Sequence, residues 1–262
     1  MITLAELIAT LDVCGSVQAT AETLARPVTG VTGDSRKAGP GSLFVAIRGE
    51  KADGHVFAAA AARSGCLAVV AETDKGLEAL PVPVILVRDS HAALCQAAAA
   101  WYGNPAEQLT VIGITGTNGK TTTSWLIEGM LVQAGLRTGV IGTVNYRYHD
   151  EAGCHVIREA PLTTPDPVTL QGLLRTMVDH RVTHVIMEVS SHALEQNRLG
   201  PIRFDAALFS ARQIVALFRI LRQVVEFNVT GRLVLAVWHD EFPVAVDHPA
   251  EAHTGGRIVQ VS

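Results

Sequence analysis

Residues 111–123 read Val-Ile-Gly-Ile-Thr-Gly-Thr-Asn-Gly-Lys-Thr-Thr-Thr. The apolar residues Val111, Ile112 and Ile114 predict a strand, Gly116 and Gly119 a turn, and Lys120 the start of a helix. Chains of this shape hold phosphate. Glycines let consecutive backbone N–H groups bend inward around one anion. The opening helix adds its unpaired N–H groups and the positive end of its dipole. Lys120 is placed to reach the outer phosphates of a nucleoside triphosphate, and the Thr121 hydroxyl to bind the accompanying Mg2+. Gly116, Thr117, Asn118, Gly119, Lys120, Thr121 and Thr122 are therefore the candidate ATP-binding residues. The full G-x-x-x-x-G-K-[ST] pattern asks for glycine at 114, where this chain has Ile114, while its Gly-Lys-Thr end is intact.

The rest of the chain fits an α/β reading. Its 262 residues allow two domains. Formal net charge is −4 with no gathered basic patch, which argues against nucleic acid as a partner. No stretch of 18 apolar residues lacks a charge, and the N-terminus has Glu6 and Asp12 inside its apolar run, so neither membrane insertion nor a signal peptide is expected. Cys14, Cys66, Cys95 and Cys154 are far apart and read as reduced, mostly buried residues of a cytoplasmic protein.

Residues 1–105 alternate helix-like (3–11, 56–63, 90–102) and strand-like (42–47, 66–71, 84–87) segments, and Gly103-Asn104-Pro105 marks a boundary. After the phosphate loop, Ile127, Met130, Leu131 and Ala134 recur at helical spacing and predict the face that meets a sheet. Residues 138–143 predict a strand and 144–157 a hairpin. Asp166 and Pro167 are an N-cap and first-turn pair, which puts Thr163 and Thr164 on a loop at a helix N-terminus. Their hydroxyls suit either an anionic ligand or capping. Residues 184–188 form a strand ending in Glu188, at the sheet edge where ligands of open α/β sheets bind. Glu188 either completes the Mg2+ site with Thr121 or is a solvated strand end. His192 is either a second metal ligand or a supporting hydrogen-bonding residue.

The form Gly-Thr-Asn-Gly-Lys-Thr-Thr at 116–122 resembles the ATP-dependent Mur ligases and their folylpolyglutamate synthetase relatives. Thr32-Gly33-Asp34-Ser35-Arg36 with Ala52-Asp53-Gly54, Leu162-Thr163-Thr164-Pro165-Asp166, and Met187-Glu188-Val189-Ser190-Ser191-His192 narrow the likeness to MurE-type ligases, over roughly residues 20–210. The resemblance implies a small N-terminal UDP-substrate-binding α/β domain (1–105) and part of a P-loop-type central α/β domain (106–210). It implies an ATP- and Mg2+-dependent monomeric enzyme of cytoplasmic peptidoglycan precursor synthesis. That enzyme adds a third amino acid, expected to be 2,6-diaminopimelate, to UDP-MurNAc-L-Ala-D-Glu through an acyl phosphate. It assigns catalysis to Lys120, Glu188 and His192, the metal to Thr121 and Glu188, and substrate binding to Ser35, Thr163, Thr164, Ser190, Gln196 and Arg198. Ser35 and the loop at Glu50-Lys51-Ala52 would meet the uridine diphosphate. On its own chemistry Arg198 suits a carboxylate or phosphate, whereas Asp34-Ser35 also reads as a simple turn.

Past residue 210 the pattern breaks. The family continues with an Asn-Leu and an Asp-His-Leu-Asp-Tyr-His run, its carbamylated lysine and a C-terminal ligase domain, and residues 211–262 match none of these. Two origins of this tail stand, a frameshift or a genuine divergent segment, and on either the chain is expected to be truncated and inactive as a ligase. It then remains a nucleotide- and UDP-sugar-binding remnant. Within the tail, 214–225 predicts a helix and 232–238 a strand. A central sheet ending at the strand over 206–210 would leave an apolar edge unpaired.

Overall fold

The computed structural model describes residues 1–15, 18–49, 53–150, 152–211, 229–238 and 243–249; from 211 onward only the backbone is described. The chain forms two compact units. The first comprises Met1–Leu109, Thr164–Arg181 and His192–Ile202; the second comprises Thr110–Thr163, Val182–Ser191 and the described residues from Arg203 onward.

In the first unit, helix α1 (Leu4–Ile8) starts in a capping box in which Thr3 and Glu6 satisfy each other's backbone N–H groups. Helix α2 (Ala21–Ala25) follows, and then β1 (Gly30–Thr32) and β2 (Ser42–Val45). A 3-10 turn at Gly54–Phe57, capped by Asp53, precedes α3 (Ala58–Arg63). The helix expected from Val56 therefore begins later, because the Asp53 side chain binds the His55 N–H and tightens the first turn. Strands β3 (Ala68–Ala71) and β4 (Val84–Leu86) lead to α4 (Ser90–Trp101). The four strands form one parallel sheet in the order β1-β2-β3-β4.

Alternation along these strands divides two cores. Leu43, Val45, Ala68 and Val70 pack with Leu4, Leu7, Leu94 and Ala97. Phe44, Ala46, Val69 and Ala71 pack with Ala58, Ala61 and Ala62. The cap of α4 is Asp89, whose carboxylate accepts from Ala92 N–H. Ser90, read from sequence as the cap, is the first helical residue and is buried, its Oγ donating to Glu72 at 2.8 Å.

Among the described residues, the second unit is built on an eight-stranded sheet. Strand β5 (Thr110–Gly116) runs into α5 (Lys120–Gln133), followed by β6 (Thr138–Ile141) and the hairpin β7 (Asn145–Asp150) and β8 (Gly153–Glu159). Helix α6 (Pro167–Asp179), capped by Asp166, belongs to the first unit. Strand β9 (His184–Glu188) precedes the one-turn helix α7 (Ser191–Glu195). Strands β10 (Phe204–Ala211), β11 (Val229–Trp238) and β12 (Pro243–Pro249) complete the sheet. Its order is β12-β11-β10-β5-β9-β6-β7-β8, with β11, β10, β5, β9 and β6 parallel. The edge of β10 is thus paired by β11, against the expectation of an open edge, and the strand expected at 232–238 lies within β11. The expected helix over 214–225 falls outside the described residues.

The face that α5 turns to the sheet differs from the sequence expectation. Ile127 and Leu131 pack on Ile114, Val140 and Ile186 as expected. Met130, however, is 63% exposed, while Ser124 and Glu128 are buried. Relative to the apolar stripe the helix is rotated by about 60°. The phosphate loop fixes where it starts, and Thr121 and Ser124 must face Glu188 at the end of β9. Glu128 is carried inward with them, where Arg147 of β7 pairs with it through Nε at 2.9 Å and through Nη2. Arg147 also lies over the Trp125 ring, 3.8 Å from its centroid.

Candidate functional site

Strands β5, β9 and β6 are parallel, so their carboxyl ends open on the same edge of the second unit's sheet. Three connections leave there: the phosphate loop after β5, Gly142-Thr143 after β6, and residues 189–190 after β9. Ile114, at the position where the strict motif has glycine, is fully buried in β5 and lies beside Glu188 in the register. The strand continues to Gly116, so the bend begins two residues later and glycine is needed there. Gly116 has φ +135°, and an added Cβ would meet the Ser210 carbonyl oxygen at 1.7 Å. Gly119 has φ +80° and caps α5.

The loop between them is held from β10. Thr117 N–H donates to Ser210 O at 3.1 Å, and Ser210 Oγ donates to Asn118 O at 2.7 Å. Lys120 Nζ folds back on Gly116 O at 2.7 Å. Thr122 follows on the exposed side of the first helical turn.

Glu188 is 1% exposed and collects hydroxyls. Its Oε2 accepts from Thr143 Oγ1 at 2.8 Å and Thr121 Oγ1 at 3.1 Å, while Ser124 Oγ, which donates to the Thr121 carbonyl at 2.8 Å, lies 3.3 Å from its Oε1. Gly142 makes room for it, since a Cβ there would lie 2.4 Å from Oε1. The solvated strand-end reading of Glu188 is thereby excluded. One carboxylate and a threonine hydroxyl beside the glycine turn fit Mg2+, which takes one or two carboxylates and completes its octahedron with phosphate oxygens and water. Among the described residues no group of three or more His, Cys, Asp or Glu side chains forms an all-protein metal cage.

Sequence reasoning missed Thr143, Ser124 and Ser210. A glycine-hydroxyl pair directly after β6, matching the one after β5, was the available signal for Thr143. Of the candidate substrate residues, Thr163 stands in this unit with its Oγ1 3.1 Å from Thr143 Oγ1, and Ser190 follows β9.

The other candidates are in the first unit. There a pocket of about 460 Å3 is lined by Thr32, Asp34, Lys37, His91, Gln196 and Arg198 among others, a size typical of small-molecule sites. Arg198 donates through Nε and Nη2 to Gln196 Oε1 and through Nη1 to the Thr164 carbonyl, so Thr164, Gln196 and Arg198 are joined. Thr164 itself is buried. Ser35 opens a 3-10 turn capped by Asp34, one residue from the pocket wall. The Arg36 guanidinium, bonded to Asp34 at 2.9 and 2.8 Å, holds that carboxyl below the usual carboxylate range. His192 is exposed on α7. Residues 50–52, expected to share the uridine diphosphate, fall outside the described residues.

Of the four cysteines, Cys66 and Cys95 are buried, while Cys14 and Cys154 are exposed. No helix among the described residues is long and apolar enough to cross a membrane.

A strand, glycine turn and helix at the carboxyl edge of a parallel sheet, with a buried carboxylate on the neighbouring strand, define a phosphate-loop α/β protein. Family comparisons specify it further. Residues 27–102 match the Mur ligase family catalytic domain and residues 114–211 the Mur ligase middle domain, and the chain belongs to the Mur ligase family. It is 46% identical over 183 residues to the UDP-N-acetylmuramoyl-L-alanyl-D-glutamate--2,6-diaminopimelate ligase of Bacillus licheniformis, covering 70% of this chain and 36% of that one. The enzyme of the same name from Geobacter metallireducens is 44% identical over 187 residues, with 71% and 35% covered. The chain thus matches about a third of the length of these relatives. A solved structure of a ligase of that name superposes with a TM-score of 0.69 at 25% identity, covering 87% of this chain and 46% of its own. MurF from Acinetobacter baumannii, at 17% identity and a TM-score of 0.53, shares the fold.

Proposed function

We propose that this chain supplies the nucleotide- and UDP-substrate-binding parts of an ATP-dependent amide-forming ligase of cytoplasmic peptidoglycan precursor synthesis. In this reading 2,6-diaminopimelate is added to UDP-MurNAc-L-Ala-D-Glu. ATP phosphorylates the terminal carboxylate of the substrate, the amine attacks the acyl phosphate, and ADP and phosphate leave. The observation that carries the reading is the convergence of Thr121, Ser124 and Thr143 on buried Glu188 beside the glycine turn. Gly116 to Thr122 hold the triphosphate through backbone N–H groups, and Lys120 swings from the Gly116 carbonyl to the outer phosphates. Thr121 and Glu188 hold Mg2+, which offsets charge on the transferring phosphoryl group. The first-unit pocket takes the uridine diphosphate, with Ser35 at its rim. Thr163, Thr164, Ser190, Gln196 and Arg198 contact the rest of the substrate, and His192 supports it.

A second reading is favoured by the end of the family match at residue 211. In it the 262-residue polypeptide binds ATP and the UDP-sugar without ligating. Calorimetric titration with ATP, with and without Mg2+, tests the shared part; binding that survives Lys120→Ala unchanged refutes it. Release of phosphate dependent on diaminopimelate, with tripeptide product, then decides for ligation, and its absence for binding alone.

A further inference from the structure

Thr143 is within hydrogen-bonding range of two groups, Glu188 Oε2 at 2.8 Å and Thr163 Oγ1 at 3.1 Å. A hydroxyl has one proton, and a carboxylate only accepts. The Thr143 proton therefore goes to Glu188, and in the contact with Thr163 it is Thr163 that donates. From this we infer that Thr143 is a positioning residue: it relays the charge of Glu188 to Thr163 and fixes the Thr163 hydroxyl as an acceptor toward any ligand.

The surroundings support a set geometry. Tyr146, fully buried on β7, donates from Oη to the Leu162 carbonyl at 2.6 Å and so anchors the residue before Thr163. Thr143 follows Gly142 directly, and Gly142 is where Glu188 makes its close approach. With its proton turned inward, Thr163 offers lone pairs outward. Its partner in a bound molecule is then an N–H or O–H group, such as a peptide amide or a sugar hydroxyl, and not a carboxylate or phosphate oxygen. Of the two roles the sequence left open for Thr163, an anion-binding hydroxyl or a cap, this speaks against the first.

The inference rests on the proposed function only for the identity of the ligand of Glu188. The test is a double-mutant cycle on the 262-residue chain with Thr143→Val, Thr163→Val and the pair. Thr143 is exposed and Thr163 half-buried, so folded variants are expected. In ligand-free urea unfolding, Thr163→Val should lower the folding constant by about 5-fold in the native background, the effect of one ordinary hydrogen bond. It should change little once Thr143 is valine. In titrations of Mg2+ at fixed ADP, Thr143→Val should raise the Mg2+ midpoint several-fold and Thr143→Ser restore it. Additive effects in the unfolding cycle, or a Thr143→Ser variant as impaired as Thr143→Val, overturn the relay. If the native chain shows no Mg2+-dependent ADP binding, the proposed function fails, and the unfolding cycle still decides the relay.

Discussion

Gly142→Ala separates the candidate metal site from the fold. The new Cβ would stand 2.4 Å from Glu188 Oε1, and carbon atoms of this kind are not found closer than 3.0 Å, so the carboxylate must retreat by at least 0.6 Å. Gly142 does not have a left-handed φ, so alanine brings no backbone strain. The cost falls on the hydroxyls that Glu188 collects. Moved as a unit, the carboxylate can lengthen the 3.1 Å contact of its Oε2 with Thr121 to at most about 3.7 Å, beyond hydrogen-bonding range. It also weakens the 2.8 Å contact with Thr143. Hydrogen bonds to a charged group are worth about 1.5–3 kcal/mol each, and water entering the gap offsets part of the loss. A net loss of about 2 kcal/mol corresponds to roughly 30-fold weaker Mg2+-dependent nucleotide binding. Calorimetric titration of ADP at several Mg2+ concentrations reads this directly, with thermal unfolding as the control for the fold. A Mg2+ dependence within about 3-fold of the native chain, in a variant whose carboxylate must have moved, would refute the claim that Glu188 is held in place for the metal.

Three other outcomes are expected. Arg147→Ala strands buried Glu128 without its guanidinium partner and should cost about 3–5 kcal/mol in urea unfolding, whereas Glu128→Leu with Arg147→Met should recover most of it. Burial pushes the Cys66 thiol up to about 11 and the Cys95 thiol up to about 12, so in the native state at pH 8 a thiol reagent should modify exposed Cys14 first, exposed Cys154 more slowly because partial burial and the Glu128 carboxylate raise its thiol, and the two buried cysteines only after denaturant. The same burial makes stability depend on pH: the neutral thiol of Cys95 contributes in full below its unfolded value of 9.0, and that contribution is lost as pH rises toward about 12. A Cys95→Ala variant should therefore show a flatter melting-temperature profile from pH 8.5 to 10.5 than the native chain.

Much of this protein was legible in its sequence because the features concerned are local. The turn at Gly116 and Gly119 declares itself through backbone conformations that only glycine adopts cheaply. Asp166-Pro167 declares the start of α6 through a side-chain cap and a fixed φ. Apolar runs announced β2, β3, β5, β9 and β11, and the polar-aromatic mix over 144–157 announced the β7–β8 hairpin. The stretches that carried the family likeness are likewise short and contiguous, and the family match ends at residue 211, where the pattern breaks.

Tertiary structure decided what depends on residues distant in the chain. Helix α5 carries an apolar stripe that sequence periodicity would turn toward the sheet, yet Met130 is exposed and Glu128 buried, because the phase of the helix is fixed by Thr121 and Ser124 facing Glu188, 64 or more residues away. Glu128 is tolerated there because β7 brings Arg147 to it. The same holds for Thr143 and Ser210, which have no role legible in the sequence and which parallel pairing brings to the edge where β5 ends. Sequence supplied the glycine turn and its lysine. The fold supplied the carboxylate's shell of hydroxyls, since a buried charge is stable only where separate segments meet to satisfy it.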